Sequence, residues 1–358
     1  MKILILGFAK IKYMPYLNFY LDSINAAENE VHVLYWDRDG KEDVKEREDI
    51  TYHKFDYILS DFDSTSKKLS AFSAYRKFAK RLIEIEKFNF IISLHTWPAV
   101  LLSRIITKKY QGKFIYDYRD TTMERNAFFK RIVDKLIHSA SAVFVSSKAF
   151  LKSLPEDGKY YISHNLTIDS FEHRQKHRLK SNSPIRVRFW GLFRSKETDI
   201  AFIKALGDDP RFELHFHGRD GDYIEKAIAH NAYTNAFMHG EYEPQERFEF
   251  AKETELLINI PDNIANSMLA VGNKTYDGAI LYVPQICSNQ QYMGKINEEY
   301  GLGINVDPFR EGLADTLYNY VKEIDEERFW SNCDKFADFA LKEYKNGQKI
   351  IQDILSSR

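Results

Sequence analysis

The sequence predicts an α/β chain built from two doubly wound, parallel-sheet domains, and three observations predict it. Short apolar runs alternate with longer helical patterns, the spacing of strands joined by helical crossovers. One stretch, Phe171-Glu-His-Arg-Gln-Lys-His-Arg-Leu-Lys-Ser-Asn-Ser-Pro184, is polar, basic and without apolar periodicity, which suits a linker. The chain has 358 residues, more than one typical core organises, so two domains of roughly 150 to 180 residues are expected.

In order, the front half offers strands at Lys2–Leu6, Glu30–Tyr35, Phe90–Leu94, Lys113–Tyr116, Ala142–Val145 and Lys159–Ile162. Helical patterns fall between them, chiefly Ser66–Lys87, Trp97–Lys109, Asn126–Ser139 and Ser147–Leu154. After the linker come strand Arg186–Trp190, helix Glu197–Leu206, strand Glu213–His217, helices Tyr223–His230 and Pro244–Lys252, and the apolar run Leu256–Ile260. A short helix then opens near Asn273, is stopped by Pro284 and leads into a strand at Gln285, and Glu311–Ile354 reads as mostly helical. The expected division is 1–170, 184–325 and a closing helical segment 326–358.

An apolar content of 44% with 29% charged residues describes a soluble globular protein. Two cysteines, Cys287 and Cys333, argue against a disulfide framework and a thiolate metal site. The apolar start Met1–Gly7 is too short for a signal peptide, no run reaches membrane-spanning length, and the cytoplasm is the expected compartment. Charge is uneven: residues 1–180 hold 31 Lys and Arg against 23 Asp and Glu, residues 181–358 hold 20 against 29, so the halves should meet different partners. Ser66–Lys87 and Asn126–Ile137 interleave cations with apolar residues. Each reads either as a helix with one face in the core or as one lying on an anionic membrane surface. Nucleic-acid binding would use the same cations, but no recognition module accompanies them.

Val271–Ser288 is the most informative stretch. It places Lys274 and Asp277 in or beside the first turn of a helix, outside the carboxyl end of a parallel strand, where open α/β sheets bind ligands. A helix amino end favours anions, a lysine there can meet a diphosphate, and a nearby carboxylate can accept from ribose hydroxyls. Asn273 belongs to the same segment. Gly191-Leu-Phe-Arg194-Ser-Lys196 offers a turning glycine and two cations that can close on a diphosphate with Lys274, or form a solvated basic turn. Gly218 and Arg219, and then Tyr242, end glycine-flanked loops whose groups can read a base or a sugar ring. His215 and His217 read as packed or surface residues, and because His217 and His239 each precede a glycine with no carboxylate pair at ligand spacing, no metal site is expected. In the front half Gly7 closes the first strand where a substrate group can approach. His95 and the run Asp117-Tyr-Arg119-Asp120 end two later strands and should face the interdomain cleft. Asp117, Asp120 or His95 can take or orient an acceptor proton; alternatively Arg119 pairs with either carboxylate to brace a loop.

With these residues in place the chain resembles the two-domain glycosyltransferases of the GT-B fold, particularly bacterial family-four-like enzymes of capsule and lipopolysaccharide O-antigen synthesis. Asn273-Lys274-x-Tyr276-Asp277 with Val283-Pro284 resembles the family's donor segment, and Gly191 with Arg194 and Lys196 its diphosphate loop. Asp117–Asp120 and His164-Asn165 resemble strand ends of its acceptor domain, and Gly301-Leu-Gly303 also fits. The resemblance implies two Rossmann-like domains facing a central cleft and a nucleoside-diphosphate sugar as co-substrate in the second. It implies a saccharide or polyprenyl-linked acceptor in the first, no obligatory metal or further cofactor, and a closing helix that returns to the first domain. Two departures stand out: Leu269 occupies the place of the earlier of the family's paired glutamates, with Asp277 at the later one, and Asp117 stands where relatives often carry histidine. A nucleotide-sugar epimerase of the same architecture and a non-catalytic sugar-nucleotide binder are the competing readings. A nicotinamide oxidoreductase is disfavoured, because Gly7-Phe-Ala-Lys-Ile-Lys lacks the glycine-rich turn.

Overall fold

In the computed structural model, residues 1–41, 43, 47–60, 63–179, 184–262 and 265–358 are described. The chain divides into two compact units, Met1–Asn165 with Lys342–Arg358, and Leu166–Leu341.

The first unit carries a seven-stranded sheet of β1 (Lys2–Leu6), β2 (Glu30–Asp37), β3 (Thr51–Asp56), β4 (Phe90–Leu94), β5 (Phe114–Tyr118), β6 (Ala142–Val145) and β7 (Tyr160–Ile162). Its order is β3-β2-β1-β4-β5-β6-β7 and every pairing is parallel. β4, β5 and β6 are buried at every position, which explains their continuous apolar sequences. The order reverses between β1 and β4, so the ends of those strands form the switch point where such sheets bind ligands.

The second unit carries β8 (Ile185–Leu192), β9 (Phe212–Arg219), β10 (Ala236–Gly240), β11 (Leu256–Ile258), β12 (Gln285–Cys287) and β13 (Gly303–Asn305), again all parallel, in the order β10-β9-β8-β11-β12-β13. Its switch point lies between β8 and β11. Val187, Phe189, Leu214, Phe216, Leu256 and Ile258 form the floor of its core, with helix Lys196–Leu206 contributing Phe202, Ile203 and Leu206.

Several elements depart from the sequence reading. β3 and β13 were not expected: both are edge strands, and β3 buries only Phe55. Helix Tyr292–Tyr300 is a further element that no periodicity marked. The expected helix Trp97–Lys109 is two helices, Thr96–Leu101 and Ser103–Lys109, parted where Leu102 leaves helical geometry. Lys148–Ser153 is a 3-10 helix. The expected linker is pinned for much of its length: Ile168–His173 forms a 3-10 turn, and Arg174 donates to Asp334 at 2.6 Å and to the Ile280 carbonyl at 3.3 Å. Residues 180–183 of that stretch lie outside the described residues. The closing helix Glu326–Ser356 contributes Phe336 to the second unit, against Tyr276 and Tyr300, and Tyr344 to the first, against Phe19.

Candidate functional site

Each unit gathers polar side chains at its switch point. In the second, β8 and β9 pair two glycines in register, Gly191 and Gly218, one residue before their ends. Their backbones touch so closely that a Cβ on Gly218 would lie 1.7 Å from the Gly191 carbonyl oxygen, and both adopt positive φ, 139° and 152°. The close approach leaves backbone, with no side chain, facing Lys274: a Cβ on Gly191 would lie 3.3 Å from the Lys274 ammonium. That ammonium also sits 4.2 Å from the Phe189 ring centroid, within cation–π range.

Lys274 is delivered by helix Asn273–Ile280, whose start is fixed from below. Buried Asn259, just past β11, donates to the Thr275 hydroxyl at 3.0 Å and to Gln285 at 2.8 Å, while Gln285 donates to the Thr275 carbonyl at 3.0 Å. Gly272 precedes the helix in extended geometry, and no side chain caps this end. Burial pulls the Lys274 ammonium down to about 8; Asp199 and Asp277 oppose that shift and Arg194 adds to it. Asp277, one turn along, accepts from the buried Trp190 indole at 3.4 Å and lies 3.5 Å from the Arg247 guanidinium. Burial raises its carboxyl above the ordinary range, against the pull of Arg247, Trp190 and Lys274. Tyr242 is close enough for the Asp277 charge to add to burial in pushing its hydroxyl up to about 12.

The structure therefore gathers Gly191, Gly218, Lys274, Asp277 and Tyr242, with Arg194 near enough to bear on Lys274. Arg194, Arg219 and Asn273 are exposed. Lys196 stands apart from this group: its ammonium lies 5.8 Å over the Tyr223 ring, in a groove of about 450 Å³ between helices Lys196–Leu206 and Asp222–Asn231. His215, His217 and His239 stack on one another beside Phe250, His217 and His239 at 4.3 Å.

In the first unit Gly7 is enclosed by its own fold. A Cβ there would meet Met14 at 2.7 Å and the Leu34 carbonyl at 2.9 Å, so the glycine serves packing. His95 and Asp120 come together, Nδ1 to Oδ2 at 3.4 Å, both partly exposed. His95 holds φ 73°, a conformation rare for a non-glycine residue, anchored by its amide donating to the Asp117 carbonyl at 3.0 Å. Asp117 is fully buried; it accepts from Arg119 at 2.7 Å and from Ser163 at 3.4 Å. Its carboxylate thus takes the bracing role, and the base candidates that reach solvent are His95 and Asp120. Arg119 is buried too, donating further to Asn165 and to Ser163.

Four residues of these clusters escaped sequence reasoning: Tyr16, Trp190, Asp199 and Arg247. Tyr16 and Arg247 stand in unremarkable local sequence, and Trp190 reads simply as a core strand residue. Asp199, in the first turn of helix Lys196–Leu206, is 1% exposed, accepts from the Tyr223 hydroxyl, and has its carboxyl raised to about 6 by burial.

No family model matches the chain. No curated protein matches it in sequence either. Solved structures do match in fold. HepE from Anabaena, in complex with UDP, superposes with a TM-score of 0.68 at 14% identity over 100% of both chains. The lipopolysaccharide outer core galactosyltransferase WaaB gives 0.65 at 13% identity, covering 98% of this chain and 99% of its own. Sucrose-phosphate synthase from Thermosynechococcus elongatus gives 0.67 at 12% identity, covering 99% and 95%. With its two all-parallel sheets, the chain has the two-domain α/β fold of the GT-B glycosyltransferases.

Proposed function

We propose that the protein is a glycosyltransferase that moves a sugar from a nucleoside-diphosphate donor to a hydroxyl of a glycan or lipid-linked saccharide in bacterial surface polysaccharide synthesis. The observation that carries this reading is Lys274 held against the Gly191 backbone, with Asp277 one helical turn away. A diphosphate laid there meets an ammonium and bare backbone, and developing negative charge on the leaving group is stabilised by groups already in place. Arg194 reaches the same phosphates. Lys196 joins them only after leaving Tyr223, and its share is correspondingly smaller. Asp277 and Tyr242, joined by Asn273, Gly218 and Arg219, take ribose and base. The fold-mates include HepE solved with UDP and glucose, which supports a nucleotide sugar as donor.

The acceptor side is assigned to His95 and Asp120, with Arg119 and Asp117 as their brace. The acceptor's lipid would come from an anionic membrane surface. Among the described residues no helix is long and apolar enough to cross a membrane, but helix Thr65–Glu86 exposes Leu69 and Ile85 among its cations, and Phe128 stands 74% exposed beside Lys130 and Arg131. That pattern supports peripheral attachment, which we place at the cytoplasmic face.

A thermal-shift screen across nucleoside diphosphates and their sugars tests the donor assignment, since a ligand bound only by the folded chain raises its melting temperature. Stabilisation by one sugar nucleotide, followed by release of its nucleoside diphosphate with a saccharide acceptor, is the expected sequence. Conversion of the donor sugar without acceptor would instead identify an epimerase, and binding without any turnover a sensor.

A further inference from the structure

Tyr16 carries no sequence signal, yet it completes a chain of three side chains at the first switch point. It lies in the loop after β1, with its ring 4.0 Å beneath the Arg119 guanidinium and edge-on to the His95 imidazole at 5.2 Å. Its hydroxyl is hydrogen-bonded to His95 Nε2. On the far side of the imidazole, Nδ1 faces Asp120 at 3.4 Å. One neutral tautomer satisfies both neighbours: Nδ1 carries the hydrogen toward the carboxylate, and Nε2 accepts from Tyr16. The left-handed backbone of His95 and the buried Arg119–Asp117 pair hold the ring in that position.

We propose that Tyr16 is a catalytic proton relay for the acceptor, an inference that rests on the transfer reaction proposed above. The acceptor hydroxyl donates to the Tyr16 oxygen. As the acceptor oxygen bonds to the anomeric carbon, its proton passes to Tyr16, and the proton of Tyr16 passes to His95 Nε2. The anomeric carbon–oxygen bond breaks with its electron pair leaving on the diphosphate. Asp120 steadies the imidazolium so formed, and Arg119 over the ring favours the electron-rich phenol during transfer. Proton loss from His95 to solvent restores the site.

The test uses the full chain with nitrogen-15-labelled histidine, His95 being assigned through His95→Gln. In the wild type at pH 8, NMR is expected to show His95 protonated at Nδ1 and accepting at Nε2, with this preference lost in Tyr16→Phe. Turnover of UDP-glucose is expected to fall about 100-fold in Tyr16→Phe with its KM for UDP-glucose unchanged. Asp120→Asn should shift the tautomer while leaving Tyr16 in place. A wild-type His95 protonated at Nε2, or a Tyr16→Phe enzyme with native tautomer and turnover, overturns the relay. Failure of the underlying reading looks different: a chain that binds no sugar nucleotide sinks both, whereas turnover with Nε2 protonated sinks the relay alone.

Discussion

Lys274 meets two opposed demands: burial disfavours its charge, and the assigned role requires it. With the ammonium lowered to about 8, a nucleotide sugar should bind at constant affinity well below that pH and progressively more weakly through and above it, as the cation is lost. Calorimetry between pH 7 and 9.5 should show affinity falling up to roughly tenfold per pH unit past 8, and Lys274→Arg should flatten the curve. A flat wild-type profile would remove Lys274 from the diphosphate. Asp277→Ala should weaken donor binding by at least about tenfold, since it removes a carboxylate and leaves Trp190 and Arg247 facing a void; unchanged affinity would take Asp277 out of the site. Lys274 and Asp277 were legible because helix starts after strand ends are chemically specific places. Trp190, Arg247 and Tyr16 were not, because their partners lie 87, 30 and 79 positions away and no local pattern encodes such meetings.

Among the elements, the paired ends of β8 and β9 are the least tolerant of change. Gly218→Ala should destabilise the second unit by more than about 3 kcal/mol, because the new methyl has no room beside the Gly191 carbonyl and φ is unfavourable. Gly240→Ala, where a Cβ meets nothing within 4 Å, should lose only about 1 kcal/mol from its positive φ. Chemical denaturation compares the two, and equal losses would contradict the close-packing argument. Strands β9 and β10 also set an acid limit. Burial, with the neighbouring Arg188 and imidazole charges, lowers His215 to about 4 and His217 to about 3. Both fold in the neutral form, while the unfolded chain takes up protons below about 6.5, so their stabilisation is complete above that pH and is lost as pH falls toward 4. Melting temperature should drop by several degrees between pH 7 and 5, and less so in His217→Phe; a drop of equal size in the variant would contradict this origin. The buried strands were legible as continuous apolar runs. The edge strands β3 and β13 were not, since one buried residue and none leave little pattern, whereas the edge strand β7 was marked by its Tyr160-Tyr161-Ile162 run.

For the whole molecule, the two-sheet architecture was legible because it follows from alternation and length. The fold is shared with HepE, WaaB and sucrose-phosphate synthase at 12–14% identity, so the architecture persists where the sequence does not. Where the linker lies was less legible: charge suggested a free segment, but Arg174 is tied to Asp334, and a basic residue reads alike whether solvated or paired. The proposed membrane attachment is tested on the intact chain. Sedimentation with anionic vesicles should carry the protein down at low salt and release it as salt rises, and Phe128→Asp should weaken this without altering donor binding. The most direct test of the donor site is the crystal structure of the chain soaked with a nucleoside-diphosphate sugar. Expected is diphosphate density between the Gly191 backbone and Lys274, with the ribose at Asp277; density bound elsewhere, with that corner empty, would contradict it.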